Sequence, residues 1–506
     1  MKISFPKVLF GICLFNLLGL LAGCSDDAPE KSGGGGDKEE EGGGSAVEVM
    51  QESDIPDFER YYKPREFAEM DMLQKDAEWS WFRAKQSEHF VVFWQSGFGD
   101  DPNAPTVPAN MRVDIDDLLA KAETFYRTNV EKLKFAEVGQ GKSFLDRYKM
   151  QIYLRYQEEW LATGAGYDDV IGALWVNPST CQPVGSTIAH EIGHSFQYQV
   201  YCDQLLQGTA NDFHSGFRYG YEGSNGGNGF WEQCAQWQSF QDYPKEMFTS
   251  YYFDGWLANC HRHFEHEWMR YSSYWLQTYW TALHGDETVS RIWKESRYPE
   301  DALSAYMRLY CDGDWEQLKD ELYDYASRMA TFDIDGMREY ALRYIGRYKT
   351  AFYPDGEYHQ VAYADCPGTT GFNVIPLNVP QENTEVTADF IGLDPASSLA
   401  PDDPGVYMET ESPAGEVSVY NDGNAEDAGW RYGFVSYRAD GSRDYGGMHS
   451  AKSGQVRYTV PSGVQKLYFV VMGAPESYRP HPWDEQELND EQWPYKVKFG
   501  NTDLLQ

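Results

Sequence analysis

The stretch Ser186-Thr-Ile-Ala-His190-Glu191-Ile-Gly-His194-Ser-Phe-Gln-Tyr198 constrains this chain more than any other. Residues four apart on an α-helix lie one turn above each other, so His190 and His194 can offer imidazole nitrogens to one metal ion. Glu191 projects beside the pair, where its carboxylate can take a proton from water held by that ion. Pro183, Gly185 and Ser186 supply a helix start, and Ile188, Ile192 and Phe196 form an apolar stripe facing away from both histidines.

A catalytic zinc site needs a third protein ligand. The candidate is Glu232 in Phe230-Trp-Glu232-Gln-Cys-Ala-Gln-Trp237, 38 residues after His194. The Gly216 to Gly229 segment between them is rich in Gly, Asn and Tyr and reads as a loop, which lets a second helix return to the first. Ala235 and Ser239 flank Glu232 on a helical wheel and are small enough for close helix packing. His214 and Glu222 are the other candidates. Two histidines and one glutamate leave a tetrahedral ion one position for water, the arrangement of catalytic rather than structural zinc.

His190-Glu191-x-x-His194 with a later Glu232 resembles the gluzincin group of zinc metallopeptidases. The wider frame, A-H-E-I-G-H-S-F-Q-Y-Q followed by G-F-W-E-Q-C-A-Q-W, is similar to a family of secreted bacterial proteins described as peptidases of unknown function, over roughly residues 85 to 345. The resemblance implies a zinc ion (Zn2+), a water nucleophile and amide hydrolysis. In this enzyme group a Tyr or His downstream of the third ligand steadies the developing oxyanion. Tyr271 or Tyr274, opening a helix from Tyr271 to Leu283, would fit that role. The group also lays substrate along a sheet edge beside the active-site helix, and Gly172, Ala173, Leu174 and Trp175 in the strand before that helix are the candidate edge. Two features depart from relatives: no G-x-M-E-N precedes the helix, and the gap to Glu232 exceeds that of the mucin-directed group.

Residues 1–23 read as a lipoprotein signal peptide. Lys2 and Lys7 precede an apolar run, and Leu21-Ala-Gly-Cys24 forms a lipobox whose Cys24 would carry the lipid. The run is short and broken by Asn16 and Gly19, which disfavours a transmembrane anchor. Residues 24–49, with Gly33 to Gly36 and the acidic Asp37 to Glu41, read as lipid anchor and flexible tether. The location this implies is the outer membrane or cell surface of a Gram-negative bacterium, with membrane contact only through the lipid on Cys24.

The remainder is too long for one core, so we expect a catalytic domain over residues 50–350 and an accessory domain over 351–506. The expected fold class is α+β: a zincin-like domain of mixed sheet, active-site helix and helical lower lobe, followed by an all-β sandwich. Strands are expected at His89 to Trp94, Lys149 to Leu154 and Gly172 to Val176, and a long helix within Val113 to Phe135. Helical periodicity continues through Asp286 to Lys294, Asp301 to Tyr310, Trp315 to Met329 and Met337 to Tyr348. Seven short alternating segments between Tyr358 and Phe499 then suggest the sandwich. The cluster His261, His263, His266 does not stack on one helix face and reads as a solvated or networked group rather than a second metal site.

A formal net charge of −37 argues against nucleic acid or anionic membrane surfaces as partners. Six cysteines lie beyond the signal (Cys181, Cys202, Cys234, Cys260, Cys311, Cys366), an even set that suggests disulfides in an exported protein, with buried free thiols as the alternative. The function these features point to is a monomeric, cell-surface zinc peptidase acting on extracellular proteins or glycoproteins. The alternative is a non-catalytic surface lipoprotein that binds glycan or protein on a degenerate zincin scaffold; the intact Glu191 counts against it.

Overall fold

Three continuous apolar runs make the first sheet. In the computed structural model, which describes residues 47–505 apart from 222–226, 406–417, 422 and 485, the sheet has the order β1-β2-β3-β5-β4. The signal, Cys24, the tether and Glu222 lie outside the described residues. Strands β2 (Phe90–Trp94), β3 (Met150–Leu154) and β5 (Ile171–Val176) are mutually parallel. Being covered on both faces, they carry near-unbroken hydrophobic sequence rather than alternation. The edge strands β1 (Ala84–Gln86) and β4 (Ala162–Tyr167) are antiparallel to their neighbours.

Helix α1 (Ile115–Arg127) starts where the Asp114 carboxylate accepts the backbone N–H groups of Asp116 and Asp117, and it runs into a π-turn at Thr128–Lys132. Helix α2 (Ser186–Gln207) carries the H-E-x-x-H stretch and is closed by Gly208, which adopts the left-handed backbone that favours glycine. It lies against β4 and β5. Its environment is buried all round, so Ile188, Ile192 and Phe196 are one packed face of a central helix rather than the inner face of a surface one.

The chain then becomes helical, through α3 (Gly227–Phe240), α4 (Glu246–Thr249), α5 (Tyr251–Asn259), α6 (Trp275–His284), α7 (Thr288–Glu295), α8 (Ala302–Tyr310), α9 (Trp315–Met329) and α10 (Arg338–Ala341). The last expected helix, Met337 to Tyr348, is only α10 and a 3-10 turn. From Phe352 two antiparallel sheets follow. One is β11 (Arg443–Tyr445), β10 (Trp430–Arg438), β13 (Val464–Gly473) and β8 (Phe372–Leu377). The other is β12 (Ser453–Thr459), β9 (Glu385–Gly392), β14 (Tyr495–Gly500), β7 (Tyr358–Val361) and β6 (Phe352–Asp355). The protein is thus mixed α+β, with separate β-rich and helical parts.

The β-rich part does not keep its core to itself. Along β13, Phe469 and Val471 point into a cluster shared with Phe390, Trp430 and Tyr495 of the same part. The alternate residues Tyr468, Val470 and Met472 join the core of the helical part. Helix α9 is fastened there by Arg431, which pairs with Glu316 and Asp320, and by Trp315, whose indole N–H donates to the Pro475 carbonyl at 2.8 Å. Residues 47–506 accordingly form one compact unit, although the texture change expected near residue 351 coincides with the start of β6.

All six cysteines among the described residues are buried free thiols, so the disulfide expectation does not hold. Burial pushes the thiols of Cys181, Cys260 and Cys311 up to about 12, which suppresses the thiolate that disulfide exchange requires.

Candidate metal centre

Helices α2 and α3 meet where side chains are small. A Cβ on Gly193 would stand 3.4 Å from the Ala235 Cα and 3.1 Å from the Gln238 Oε1 atom. That close approach puts Glu232 over the two histidines. Its Oε2 atom is 3.0 Å from His190 Nε2 and 3.1 Å from His194 Nε2. These three atoms form a grouping able to hold a metal ion.

The far side of each ring decides what the near side can do. His190 Nδ1 lies 2.7 Å from Gln236 Oε1, and His194 Nδ1 lies 2.9 Å from Gln197 Oε1. The Gln197 amide cannot be turned round without loss, because its NH2 donates to the Trp231 carbonyl and to Gln238 Oε1. Gln238 donates in turn to Asn129 Oδ1, and Asn129 donates to the Phe125 carbonyl at the end of α1. Donors and acceptors run one way along this chain, so the His194 proton sits on Nδ1 and the Nε2 lone pair faces Glu232. Three lone pairs aimed at one point repel unless a cation lies among them, so the donor set fits a metal of the zinc type.

Removing the acceptor should therefore loosen the centre without touching a ligand. Gln197→Leu is expected to weaken zinc affinity about 10- to 100-fold, read by competition with a chromogenic chelator. Gln197→Asn, unable to span the gap, should not restore it, and neither should Gln197→Glu, which lacks the N–H groups that meet the Trp231 carbonyl and Gln238 Oε1.

The electrostatics follow from burial and proximity. Glu191 is 6% exposed. Burial is the largest influence on its carboxyl and raises it above the ordinary range, His190 and His194 oppose that shift, and Glu232 adds to it. Burial would also lower His194, but Glu232 and Glu191 outweigh it and hold the imidazole up at about 9 in the metal-free protein. Burial acts to raise Glu232, yet the two histidines hold it far below the usual carboxylate range.

Of the two tyrosines expected near the centre, the structure brings only one there. Tyr271 has its ring 6.3 Å from that of His190, and burial first, then the Glu232 carboxylate, raises its hydroxyl above the usual tyrosine range. Tyr274 is a correction: its hydroxyl donates to the Met247 carbonyl at 2.7 Å, and its ring packs on Phe240 and Trp275. The expected helix start at Tyr271 is in fact at Trp275, because residues 267–269 form a separate 3-10 turn.

The substrate edge also needs correcting. Gly172, Ala173, Leu174 and Trp175 lie in β5, hydrogen-bonded on one side to β3 and on the other to β4, so they present no free edge. Their small members admit α2: a Cβ on Gly172 would be 2.8 Å from the Ser195 carbonyl oxygen, and the Ser195 hydroxyl donates to the Ala173 carbonyl. The strand at the sheet's edge beside the centre is β4, Ala162-Thr-Gly-Ala-Gly-Tyr167. A Cβ on Gly164 would fall 2.0 Å from the Glu191 carbonyl oxygen and 2.8 Å from the His194 Cβ. Gly164→Ala should therefore push β4 off α2, lowering the thermal midpoint by the equivalent of about 1–3 kcal/mol or more. A midpoint equal to wild type would contradict this packing.

Neither of the other third-ligand candidates competes among the described residues. His214 stacks on Tyr298 with ring centroids 3.9 Å apart and pairs with Asp212, and Glu222 lies outside the described residues.

His261, His263 and His266 are buried rather than solvated, and His266 belongs to a network completed from far along the chain. His266 Nε2 and His481 Nε2 flank Asp490, at 3.0 and 3.1 Å, a second grouping with metal-like spacing. Here the tautomer runs the other way. The Trp268 backbone N–H donates to His266 Nδ1, which places the proton on Nε2 towards Asp490, and the Arg262 guanidinium stands 3.6 Å from the same carboxylate. An arginine already fills the cationic role, so the cluster reads as a buried hydrogen-bond network.

Sequence reasoning missed β4, Gln197 and Gln236. A signal existed for the glutamines: a polar side chain one turn from each metal-ligand candidate on a buried helix has to be hydrogen-bonded. For β4 there was none, since its Gly- and Ala-rich sequence shows no apolar alternation.

Among known families, residues 54–506 match one described as a family of unknown function (DUF6055). No curated protein and no solved structure matches the chain.

Proposed function

We propose that this chain, which belongs to the DUF6055 family, is a zinc-dependent peptidase with a zincin-like catalytic part. The observation that carries this reading is the convergence of His190 Nε2, His194 Nε2 and Glu232 Oε2, with Gln197 holding the His194 proton on its far nitrogen and Gln236 Oε1 beside His190 Nδ1. The sheet supports it too, with an antiparallel edge strand, β4, alongside the helix that bears H-E-x-x-H.

His190, His194 and Glu232 would hold the ion. A bound zinc ion supplies Lewis acidity, polarising a carbonyl and making water acidic enough to react near neutral pH. Glu191 accepts the proton of the attacking water at its carboxylate and returns it to the leaving nitrogen. Its burial, which raises its affinity for a proton, suits it to both halves of that transfer. With its ring 6.3 Å from that of His190, Tyr271 would donate its hydroxyl proton to an oxygen gaining charge. The free edge of β4 offers backbone N–H and C=O groups to an extended peptide, whose added strand would lie next to Glu191.

We place the protein at the cell surface, on a lipid at Cys24, acting on extracellular proteins or glycoproteins. No helix among the described residues is long and apolar enough to cross a membrane. The test is to measure zinc per chain in purified protein and digest peptide and glycoprotein libraries with and without a chelator. Stoichiometric zinc with chelator-sensitive cleavage supports the reading. Zinc without cleavage of any member would favour the non-catalytic alternative, and absence of zinc would overturn the zinc-peptidase reading.

A further inference from the structure

Next to Tyr271 in the chain is an arginine without a carboxylate partner among the described residues. In a protein with 79 acidic and 42 basic side chains, an arginine usually finds an acid. Nearby Arg262 has Glu487 and Asp490, and Arg431 has Glu316 and Asp320. Among the described residues Arg270 makes no ion pair and no side-chain hydrogen bond, although it is half-buried. Its guanidinium carbon lies 5.6 Å from the ring centre of Tyr271 and 5.6 Å from that of Trp483.

Trp483 comes from the β-rich part, yet it belongs to the rim of the centre. Its indole is 3.5 Å from where a Cβ on Gly229 would stand, one turn before Glu232. The segment bearing it is tied down by the buried network. Asp490 bridges His266 and His481, and the Asp484 backbone N–H donates to Glu267 Oε1 at 2.8 Å. Exposed Trp268 stands on the same turn as Glu267. With its guanidinium over two aromatic rings and its N–H groups unused among the described residues, Arg270 can take a carboxylate through two parallel hydrogen bonds.

We propose that Arg270, held between Tyr271 and Trp483, is a specificity residue that binds a carboxylate of the substrate beside the metal centre. This rests on the reading of that centre as hydrolytic. A single carboxylate fits better than a polyanion, because the protein's net charge of −37 repels dense negative charge. The carboxylate has three sources that share this chemistry: a Glu or Asp side chain, a free peptide C-terminus, or an acidic sugar. The β-rich part then has a catalytic reason to be joined to the helical part, since it supplies one wall of the subsite.

The test uses the zinc-loaded full chain. A cleaved peptide is prepared in matched forms: Glu against Gln at each position flanking the scissile bond, free acid against C-terminal amide, and a glycopeptide bearing glucuronic acid against one bearing glucose. One acid form should exceed its neutral partner in kcat/KM by about 10- to 100-fold, and the pair that does so identifies the source. Arg270→Gln should erase that preference by lowering kcat/KM of the acid form to that of the neutral form, and Arg270→Lys should restore only part of it. Equal kcat/KM for all acid and neutral pairs, or an Arg270→Gln protein that loses both forms alike, would overturn the proposal. Calorimetric titration of the Glu191→Gln protein with N-acetyl-glutamate and with its uncharged diamide separates this from the hydrolase reading. If no peptide is cleaved, the hydrolase reading fails, and the titration alone decides on Arg270: tighter binding of the acid, lost with Arg270→Gln, supports the carboxylate site, and equal binding sinks it.

Discussion

Glu191→Gln is expected to leave a folded, fully metal-loaded protein that no longer hydrolyses peptides. Glutamine matches the shape of glutamate, and the site gives it room, since the side chain is buried beside β4 and touched there by the Gly164 backbone N–H. The substitution keeps His190, His194 and Glu232, so metal content should not change. What it removes is a group that can take a proton during attack and give it up to the leaving nitrogen. Loss of such a group costs about 10²- to 10⁴-fold in rate. The measurements are turnover of a cleaved peptide and metal per chain by elemental analysis. Near-wild-type turnover would rule out Glu191 as the base; loss of metal would mean that it acts as a ligand instead.

Removing the metal, by chelation or by His190→Ala, should abolish activity and also make stability depend on pH in a particular direction. Without the ion, only protons can lie among the three converging lone pairs. His194 then has its folded-state pKa at about 9, against an ordinary 6.5. A group raised in this way stabilises the folded state fully below about pH 6.5, and that contribution is lost as pH rises through about 9. The chelated protein should therefore melt at a lower temperature at pH 9 than at pH 6.5. The metal-loaded protein should not show this loss, because metal replaces the proton and binds better as protons leave. At zinc concentrations about a thousandfold above Kd the loaded form gains about 4 kcal/mol over the stripped form. Thermal midpoints with and without chelator at the two pH values check this. A chelated protein equally stable at both would show that Glu232 does not face His194 as described.

Most of the scaffold was legible because its signals are local. Phe90–Trp94, Met150–Leu154 and Ile171–Val176 are apolar runs that only a buried strand accommodates, and α9 spans the residues its periodicity marks. Where the expectations failed, the deciding partner was distant in sequence. Tyr271 and Tyr274 are chemically alike and three residues apart; Met247, out of sight in the sequence, claims the hydroxyl of one. The expected sheet edge is the strand just ahead of the active-site helix, but an edge is defined by having no second neighbour, and β4 occupies that place with a sequence that looks like a loop. Cysteine number suggested pairing, whereas burial of each thiol among its own neighbours left all six free.

The sequence by itself determined that His190, Glu191 and His194 would share one helix at metal-binding spacing, because an α-helix imposes its period on any residues placed in it. It also marked Glu232 as the acid able to join them. Tertiary structure alone decided that Glu232 does meet them, which imidazole nitrogen faces it, which tyrosine stands by, and that Trp483 closes over Arg270 from hundreds of residues away. Each of those outcomes depends on hydrogen-bond partners and packing contacts that are remote along the chain, and no local pattern records them.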